Sequence, residues 1–514
     1  MKAPEFLYRH AGLGSLLATA TNGVAIFLVF RLGYHLLGPP AVGIWALTQG
    51  IIFISRIADG GSGGNVTRLV AIDRAKQGVV RLRNFIVTGL LVGTAPLLVL
   101  GLLVAAPAFY YLKSNYAHAV PAGPIYGLVV CSLAFGVFNS AATIFAGCLD
   151  GLGLMALRGY LSSLANIAFV GLAYFFIRHG NIVGLGETYV AYALVLNAVY
   201  VVGLWLFWPK AGPGYQQQSI RELSRRTVNF NLTFLFMTLS QLLLDPTSKI
   251  LIGRFADLDS VAVYDLANKI ASQARILYQA VLQSVLPLLS REQMDIEQRM
   301  RAKLVHWNVT VARWSFCSMS LIVLASGFLS MFSLGRINSG FILDMLILSF
   351  GSAVNTVGLI GYYTEVGSGQ LRGLVRVFAL SAASNISLGL VLGYILGGPG
   401  VVAAYAVTLT WAGIALARPV LGNFLQIVRT LPEKMTPEIL VFAAASFATW
   451  LVMIRLTEAS MAARVGTTGL VAALSLATFG YRERERIMRY YSLMTQRTRA
   501  AAVFAKSGQG QEPG

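Results

Sequence analysis

Charge is what this chain has least of. Only 12% of its 514 residues are Asp, Glu, Lys or Arg, about half the share of roughly 25% found in soluble domains. With 56% hydrophobic residues and a mean hydropathy of +0.67, the composition excludes an ordinary soluble domain. Cysteine is nearly absent. Cys131, Cys148 and Cys317 lie in apolar runs without C-x-x-C spacing, which excludes a disulfide framework and a cysteine metal site. The 5 histidines are scattered, so no zinc-type cluster is expected. Acids are scarcest of all, 21 against 40 Lys and Arg. The bases are spread over short connections and not gathered on one domain, so no nucleic-acid partner is expected. The apolar run 11–37 is longer than a signal-peptide core and lacks a small-residue cleavage site, so it reads as a retained span.

What is present instead is a series of long apolar runs. A spanning helix needs about 20 mostly apolar residues. Fourteen runs qualify: 11–37, 41–59, 84–110, 120–147, 153–177, 183–208, 228–253, 259–290, 304–333, 338–365, 372–396, 400–427, 437–457 and 461–480. The expected fold is therefore all-α, a polytopic membrane protein. With Met1 in the cytoplasm, internal segments hold 27 of the 40 basic residues and external ones 6, with 7 inside spans. That asymmetry is the positive-inside pattern and puts both termini in the cytoplasm. The external connections are short, around nine residues at most near Tyr111–Ala119. They leave no room for an external catalytic domain, so an enzyme is not expected.

The chain repeats itself. VGIWAL at Val42–Leu47 matches VAVYDL at Val261–Leu266, Arg56-Ile57 matches Arg275-Ile276, and SSLANI at Ser162–Ile167 matches SAASNI at Ser381–Ile386, each at an offset of 219. Three matches on one offset indicate two related halves. With six spans each, the halves share one orientation and form parallel repeats about an axis along the membrane normal. The expected organisation is an N-terminal six-helix lobe (1–210), a cytoplasmic linker (211–227) and a C-terminal six-helix lobe (228–428). Two extra helices (437–480) and a basic cytoplasmic tail (481–514) follow.

A charge at the membrane centre costs about 2.5–3.5 kcal/mol on insertion scales, so such groups face a partner or a wet cavity. Arg56 and Arg275 hold equivalent places in the two halves. With Lys269 they are the leading candidates for a cationic cavity lining. Arg31 sits off the middle of its span, where snorkelling to the interface competes with a cavity role. Lys249 follows Asp245 by four residues and Lys269 follows Asp265 by four. That spacing allows each to pair on one helix face. Asp245 and Asp265 are also the candidates for ion coupling, to H+ or Na+. Asn22, Asn268 and Gln273 are polar positions within spans that suit a hydroxyl-rich ligand or an inter-helix hydrogen bond. No metal or organic cofactor is expected.

SRIADGGSGGNVTRL at Ser55–Leu69 invites a phosphate-loop reading, but no Lys-Ser or Lys-Thr follows Gly64, as a P-loop requires. Asp59, Gly60, Gly61, Gly63 and Gly64 follow a span at its internal end. They read as a hinge for lobe rocking or as a plain loop, with NVTRLVAIDRAKQG resuming as a short amphipathic segment.

The run FRLGYHLLGPPAVGIWAL followed by IADGGSGGNVTRLVA, with Arg31, Leu37-Gly38-Pro39, Gly43-Ile44-Trp45, Asp59-Gly60-Gly61 and Arg68, resembles the bacterial polysaccharide transporters. These are the lipid-linked oligosaccharide flippases of the multidrug/oligosaccharidyl-lipid/polysaccharide superfamily. VYDLANKIASQARILYQAVLQSVLPLLSRE resembles the matching run of the second half, with Tyr264, Asn268-Lys269, Pro287 and Ser290-Arg291. Lys269 stands where arginine is commoner, keeping the charge without the bidentate fork.

The resemblance implies a carrier in the bacterial inner membrane. It would turn undecaprenyl-diphosphate-linked oligosaccharide repeat units to the outer leaflet for exopolysaccharide, O-antigen or capsule synthesis. The implied partners are that lipid-linked oligosaccharide, membrane lipids, and a polysaccharide polymerase and glycosyltransferases. Many such flippases have twelve spans and the peptidoglycan lipid flippase fourteen, so a peptidoglycan-precursor flippase stays open. So does a multidrug/cation antiporter of the same fold, which would use buried acids such as Asp245 or Asp265.

Overall fold

The computed structural model describes residues 11–53, 62–77, 82–179, 181–208, 219–283, 297–368, 371–422, 426, 435 and 437–449. Among these residues every extended element is a helix. Apolar chain in lipid has no water to satisfy its N–H and C=O groups, so it satisfies them within each segment. Residues Met1–Ser446 form one compact unit, and Phe447–Gly514 belong to a second.

In chain order the helices are α1 (Ala11–Leu37), α2 (Pro39–Phe53), α3 (Ser62–Gln77), α4 (Leu82–Tyr116), α5 (Ala122–Gly151), α6 (Met155–His179), α7 (Val183–Leu206), α8 (Ile220–Phe255), α9 (Leu258–Gln283), α10 (Glu297–Leu334), α11 (Ser339–Val357), α12 (Leu359–Ser368), α13 (Leu371–Leu396), α14 (Gly398–Leu421) and α15 (Pro437–Thr449). Nine of the described helices are long and apolar enough to cross a membrane, and α2 and α15 are shorter apolar helices. Long α8 and α9, which are more polar along their length, fall outside that count. The expected runs up to 437–457 each have a helix; 461–480 lies outside the described residues. Tyr110, Tyr126, Tyr174 and Tyr394 are exposed near helix ends, as amphipathic rings are at a membrane interface. This is a multi-pass membrane protein.

Two helix groups repeat one packing scheme. In the first, α1 packs on α6, α5 on α7, α6 on α7 and α4 on α5. In the second, α8 packs on α13, α11 on α14, α13 on α14 and α10 on α11. These are the same pairings carried over by the sequence repeat. The asparagines of the SSLANI and SAASNI segments make it concrete. Asn166 Nδ2 on α6 donates to Ala18 O at 3.2 Å and Thr21 Oγ1 at 3.0 Å on α1. Asn385 Nδ2 on α13 donates to Leu244 O at 3.1 Å and Ser248 Oγ at 3.2 Å on α8. Each asparagine ties the sixth helix of its group to the first.

Between the groups, α2 lies along α9, α1 on α9, and α2 on α8. They approach closely at Gly43, where a Cβ would lie 2.0 Å from the carbonyl oxygen of Leu258. Only glycine permits that contact.

Helix α8 starts at Ile220, inside the stretch expected to be linker. Ser219 caps it, accepting the Glu222 backbone N–H at 3.2 Å. Ser219 and Glu222 stand in the S-x-x-E spacing of a capping box, a start signal legible in the sequence.

Gly63 and Gly64 are likewise not in a loop but in the first turn of α3. A Cβ on Gly147 of α5 would lie 2.4 Å from Gly63 O, so Gly63 serves a close helix crossing and not a hinge. Asp59, Gly60 and Gly61 lie outside the described residues.

Candidate functional site

The buried charges converge on α8 and α9. Lys249 on α8 reaches two carboxylates: Asp245 Oδ2 at 2.7 Å, one turn back, and Asp265 Oδ1 at 2.8 Å across on α9. The other oxygen of Asp265 receives Lys269 Nζ at 2.6 Å. The result is one chain of alternating sign, Asp245–Lys249–Asp265–Lys269. Its middle is sealed, with side chains 8% and 3% exposed at Lys249 and Asp265, while Asp245 and Lys269 are 33% and 24% exposed. Asn268 Nδ2 donates to Asp245 Oδ1 at 2.7 Å and the Tyr264 hydroxyl lies 3.4 Å from it. Both spaced pairs expected from the sequence therefore form. The Lys249–Asp265 link between helices is added to them, and no intra-helix spacing rule could have shown it.

Lys269 also faces a cleft of about 360 Å3 between the two helix groups. Its walls are Thr19, Gly23, Val24 and Phe27 of α1, Leu266, Ile270, Gln273 and Leu277 of α9, and Ile322 and Leu329 of α10. They are apolar except at Thr19, Lys269 and Gln273. Gln273 Oε1 is buried and has no hydrogen-bond partner among the described residues. From the first group, Tyr189 lies close enough to Lys269 to interact with it electrostatically. Tyr189 is itself held between Trp45, Phe135 and Phe169, at ring-centroid distances of 5.1, 5.3 and 5.0 Å.

The remaining candidates scatter. Lys249 is enclosed by its two carboxylates and is no cleft cation. Asp245 and Asp265 are each taken by ammonium groups. Asn268 is 8% exposed and spent on Asp245. Half-buried Asn22 is not among the cleft-lining residues. Arg275, six positions past Lys269, points to another face of α9 and lies close enough to the Tyr405 hydroxyl of α14 to interact with it electrostatically. Arg31 lies outside the cleft. Its guanidinium sits 3.9 Å from the centre of the Phe332 ring on α10, and Phe27 stacks on that ring at 5.6 Å. Just past α10, Arg336 lies close enough to the Tyr34 hydroxyl to interact with it electrostatically. Arg31, Tyr34, Phe332 and Arg336 thus join the groups at the end where Gly43 meets Leu258. Arg56 lies outside the described residues.

Two features escaped the sequence reading. Tyr405 is one, since a tyrosine in an apolar run gives no signal. Asp344 is the other, a lone acid in FILDMLILSF, and that isolation was the available signal. It is 7% exposed, and no hydrogen bond or ion pair reaches it among the described residues.

The sequence model of a family described as "Polysaccharide biosynthesis protein" matches residues 11–293. No curated protein matches the chain. Among solved structures, the lipid II flippase MurJ in an inward closed conformation aligns at TM-score 0.55 and 13% identity, over 92% of this chain and 99% of that one. The MATE multidrug transporter DinF-BH, solved as a complex, aligns at 0.59 and 14%, over 84% and 97%. The eukaryotic MATE transporter AtDTX14 aligns at 0.55 and 14%, over 83% and 98%. At such identities these likenesses establish the fold and nothing finer.

Proposed function

The chain belongs to the polysaccharide biosynthesis protein family, and from that premise we propose that it flips a lipid-linked oligosaccharide across the bacterial inner membrane. The observation that carries the reading is Lys269, a partly exposed ammonium at the edge of an otherwise apolar cleft between two helix groups. A prenyl diphosphate asks for that combination: a fixed positive charge for the phosphates and apolar walls for the adjoining lipid. The orphaned Gln273 Oε1 suits a sugar hydroxyl donor. The headgroup substrate is the undecaprenyl-diphosphate-linked repeat unit of a surface polysaccharide. The six-helix lobes 1–210 and 228–428 rock about the cleft, and both termini lie in the cytoplasm. The joined end at Arg31–Phe332 and Gly43–Leu258 is then the external one, closed in this conformation. A cation antiporter is less well supported, because the acids it would use, Asp245 and Asp265, hold the chain's own ammonium groups.

Deleting the gene in its host tests the reading. Lipid-linked repeat units should accumulate on the cytoplasmic leaflet while surface polysaccharide is lost, and Lys269→Gln should fail to restore export at normal protein level. Normal export in the deletion strain, or full complementation by Lys269→Gln, would contradict it.

A further inference from the structure

We propose that a second cleft, between α2, α4 and α8, holds an acyl chain of a bilayer phospholipid that is bound and not transported. The inference goes beyond the proposed function and does not depend on Lys269 binding an anion.

This cleft has a volume of about 380 Å3. Its walls include Ile51 of α2, Leu103, Pro107, Ala108 and Tyr111 of α4, and Ile250 of α8. It is the repeat mate of the cleft at Lys269. Ile51 lines one and Ile270 the other, as do Leu103 and Ile322, and both pairs are separated by 219 residues. The contact between α2 and α9 maps onto itself under that repeat, so the two clefts lie on opposite sides of it.

The same offset shows how they differ. Lys269, the cation of the first cleft, corresponds to Gly50. Arg31, one turn past Phe27 of the first cleft, corresponds to Ile250, itself a wall of the second. Both positive charges are replaced by residues without one. Among the described walls only Tyr111 carries a polar side-chain atom. A diphosphate finds no partner there, and neither does water, which needs about two to four polar partners to be held. Left empty, the walls forfeit the contacts an occupant supplies.

Hydrocarbon is what surrounds the mouth. Val99, Leu102 and Leu103 of α4 are exposed beside it, and Tyr110 is exposed at its end, where an interfacial ring belongs. Bulk lipid is as apolar as the cleft, so a chain is held there by packing and not by a hydrophobic drive. One turn past Ile250, on the same face of α8, Arg254 is exposed. It supplies a cation for the phosphate of a lipid whose chain runs inward past Tyr111 to Ile51. The tail of a substrate held at Lys269 does not reach this cleft. Between the two, α2 packs on α8 and α9, and a Cβ on Gly50 would lie 3.5 Å from Lys249 Cδ. A tail would have to cross that packed, charged partition.

The test is photolabelling of purified full-length protein. The protein is reconstituted with phosphatidylglycerol carrying a diazirine within one acyl chain, then moved into detergent so that bulk lipid is removed before illumination. Peptide mass spectrometry locates the adducts. Retained lipid should label Ile51, Ile250 and the 103–111 stretch of α4. Val104, a further wall, gives the variant: Val104→Trp fills the cleft and should lose this labelling. Val202→Trp, on the exposed face of α7, should keep it. Native protein decides the matter even if Val104→Trp does not fold, because absence of adducts at these walls overturns the assignment. Labelling unchanged in Val104→Trp overturns it too. Loss of the adducts on adding farnesyl diphosphate would give the cleft to the transported lipid and overturn it as well. A Lys269→Gln protein that keeps the adducts while failing to bind farnesyl diphosphate would support both sites as separate.

Discussion

Asp265 and Lys269 meet at 2.6 Å, one turn apart on the same helix. The second oxygen of Asp265 is held by Lys249 at 2.8 Å. Lys269 is thus borrowed from a charge chain that keeps its central link without it, which lets a ligand compete for it.

The sealed half of that chain should behave as a unit in stability. Lys249→Met leaves two carboxylates facing one another without their shared ammonium, and breaking such a buried pair costs about 3–5 kcal/mol. Lys249→Met with Asp265→Asn removes the imbalance and should unfold at a higher temperature than Lys249→Met alone. Thermal unfolding in detergent, followed by cysteine-reactive dye, measures both. A double variant no more stable than the single would refute the pairing.

Closure at one end depends on Gly43. A methyl group there would overlap the Leu258 carbonyl oxygen, so Gly43→Ala should disfavour this conformation while leaving each helix group intact. Cysteines introduced near Tyr34 and Arg336 should then label faster with a membrane-impermeant reagent. Unchanged labelling would show that the contact does not gate this end.

The glycines of α3 separate packing from hinging. A side chain at Gly147 meets the Gly63 backbone, whereas Gly64 has nothing within 4 Å of its Cβ position. Gly147→Val should reduce folded yield severely. Gly64→Ala should be neutral or stabilise by about 0.5–1 kcal/mol, since alanine fixes a helical backbone better. Loss of export in a well-folded Gly64→Ala protein would restore the hinge reading.

The two asparagine clamps should differ. Asn166 also accepts the Tyr192 hydroxyl at 2.8 Å, whereas Asn385 Oδ1 is buried without a partner among the described residues. Replacement by alanine should cost about 1 kcal/mol per clamp, with Asn166 the larger, given the modest worth of inter-helix hydrogen bonds in membranes. Unfolding midpoints in detergent order them; equal or reversed losses would count against the hydrogen-bond account.

The fold was legible because lipid allows few alternatives. Apolar runs of spanning length become helices, and an offset shared by Val42, Ser162 and their partners reveals the repeat. Asp245–Lys249 and Asp265–Lys269 were legible because helical spacing puts them on one face. The link that joins them was not, because Lys249 and Asp265 are on different helices and only packing sets their distance. Arg31 and Arg275 misled for the same reason. Their charge is visible in the sequence, but the aromatic residues beside them, Phe332 and Tyr405, come from distant helices. Gly63 misled because a glycine-rich run fits a turn as well as a close helix crossing, and α5 decides between them.

The central claim is that Lys269 binds an anionic lipid headgroup. Equilibrium binding of farnesyl diphosphate to purified native, Lys269→Gln and Lys269→Arg proteins tests it most directly. A hydrogen bond to a charged group is worth about 1.5–3 kcal/mol, so Lys269→Gln should bind about tenfold or more weakly, while Lys269→Arg stays near native. Equal affinity in the native and Lys269→Gln proteins would contradict the account.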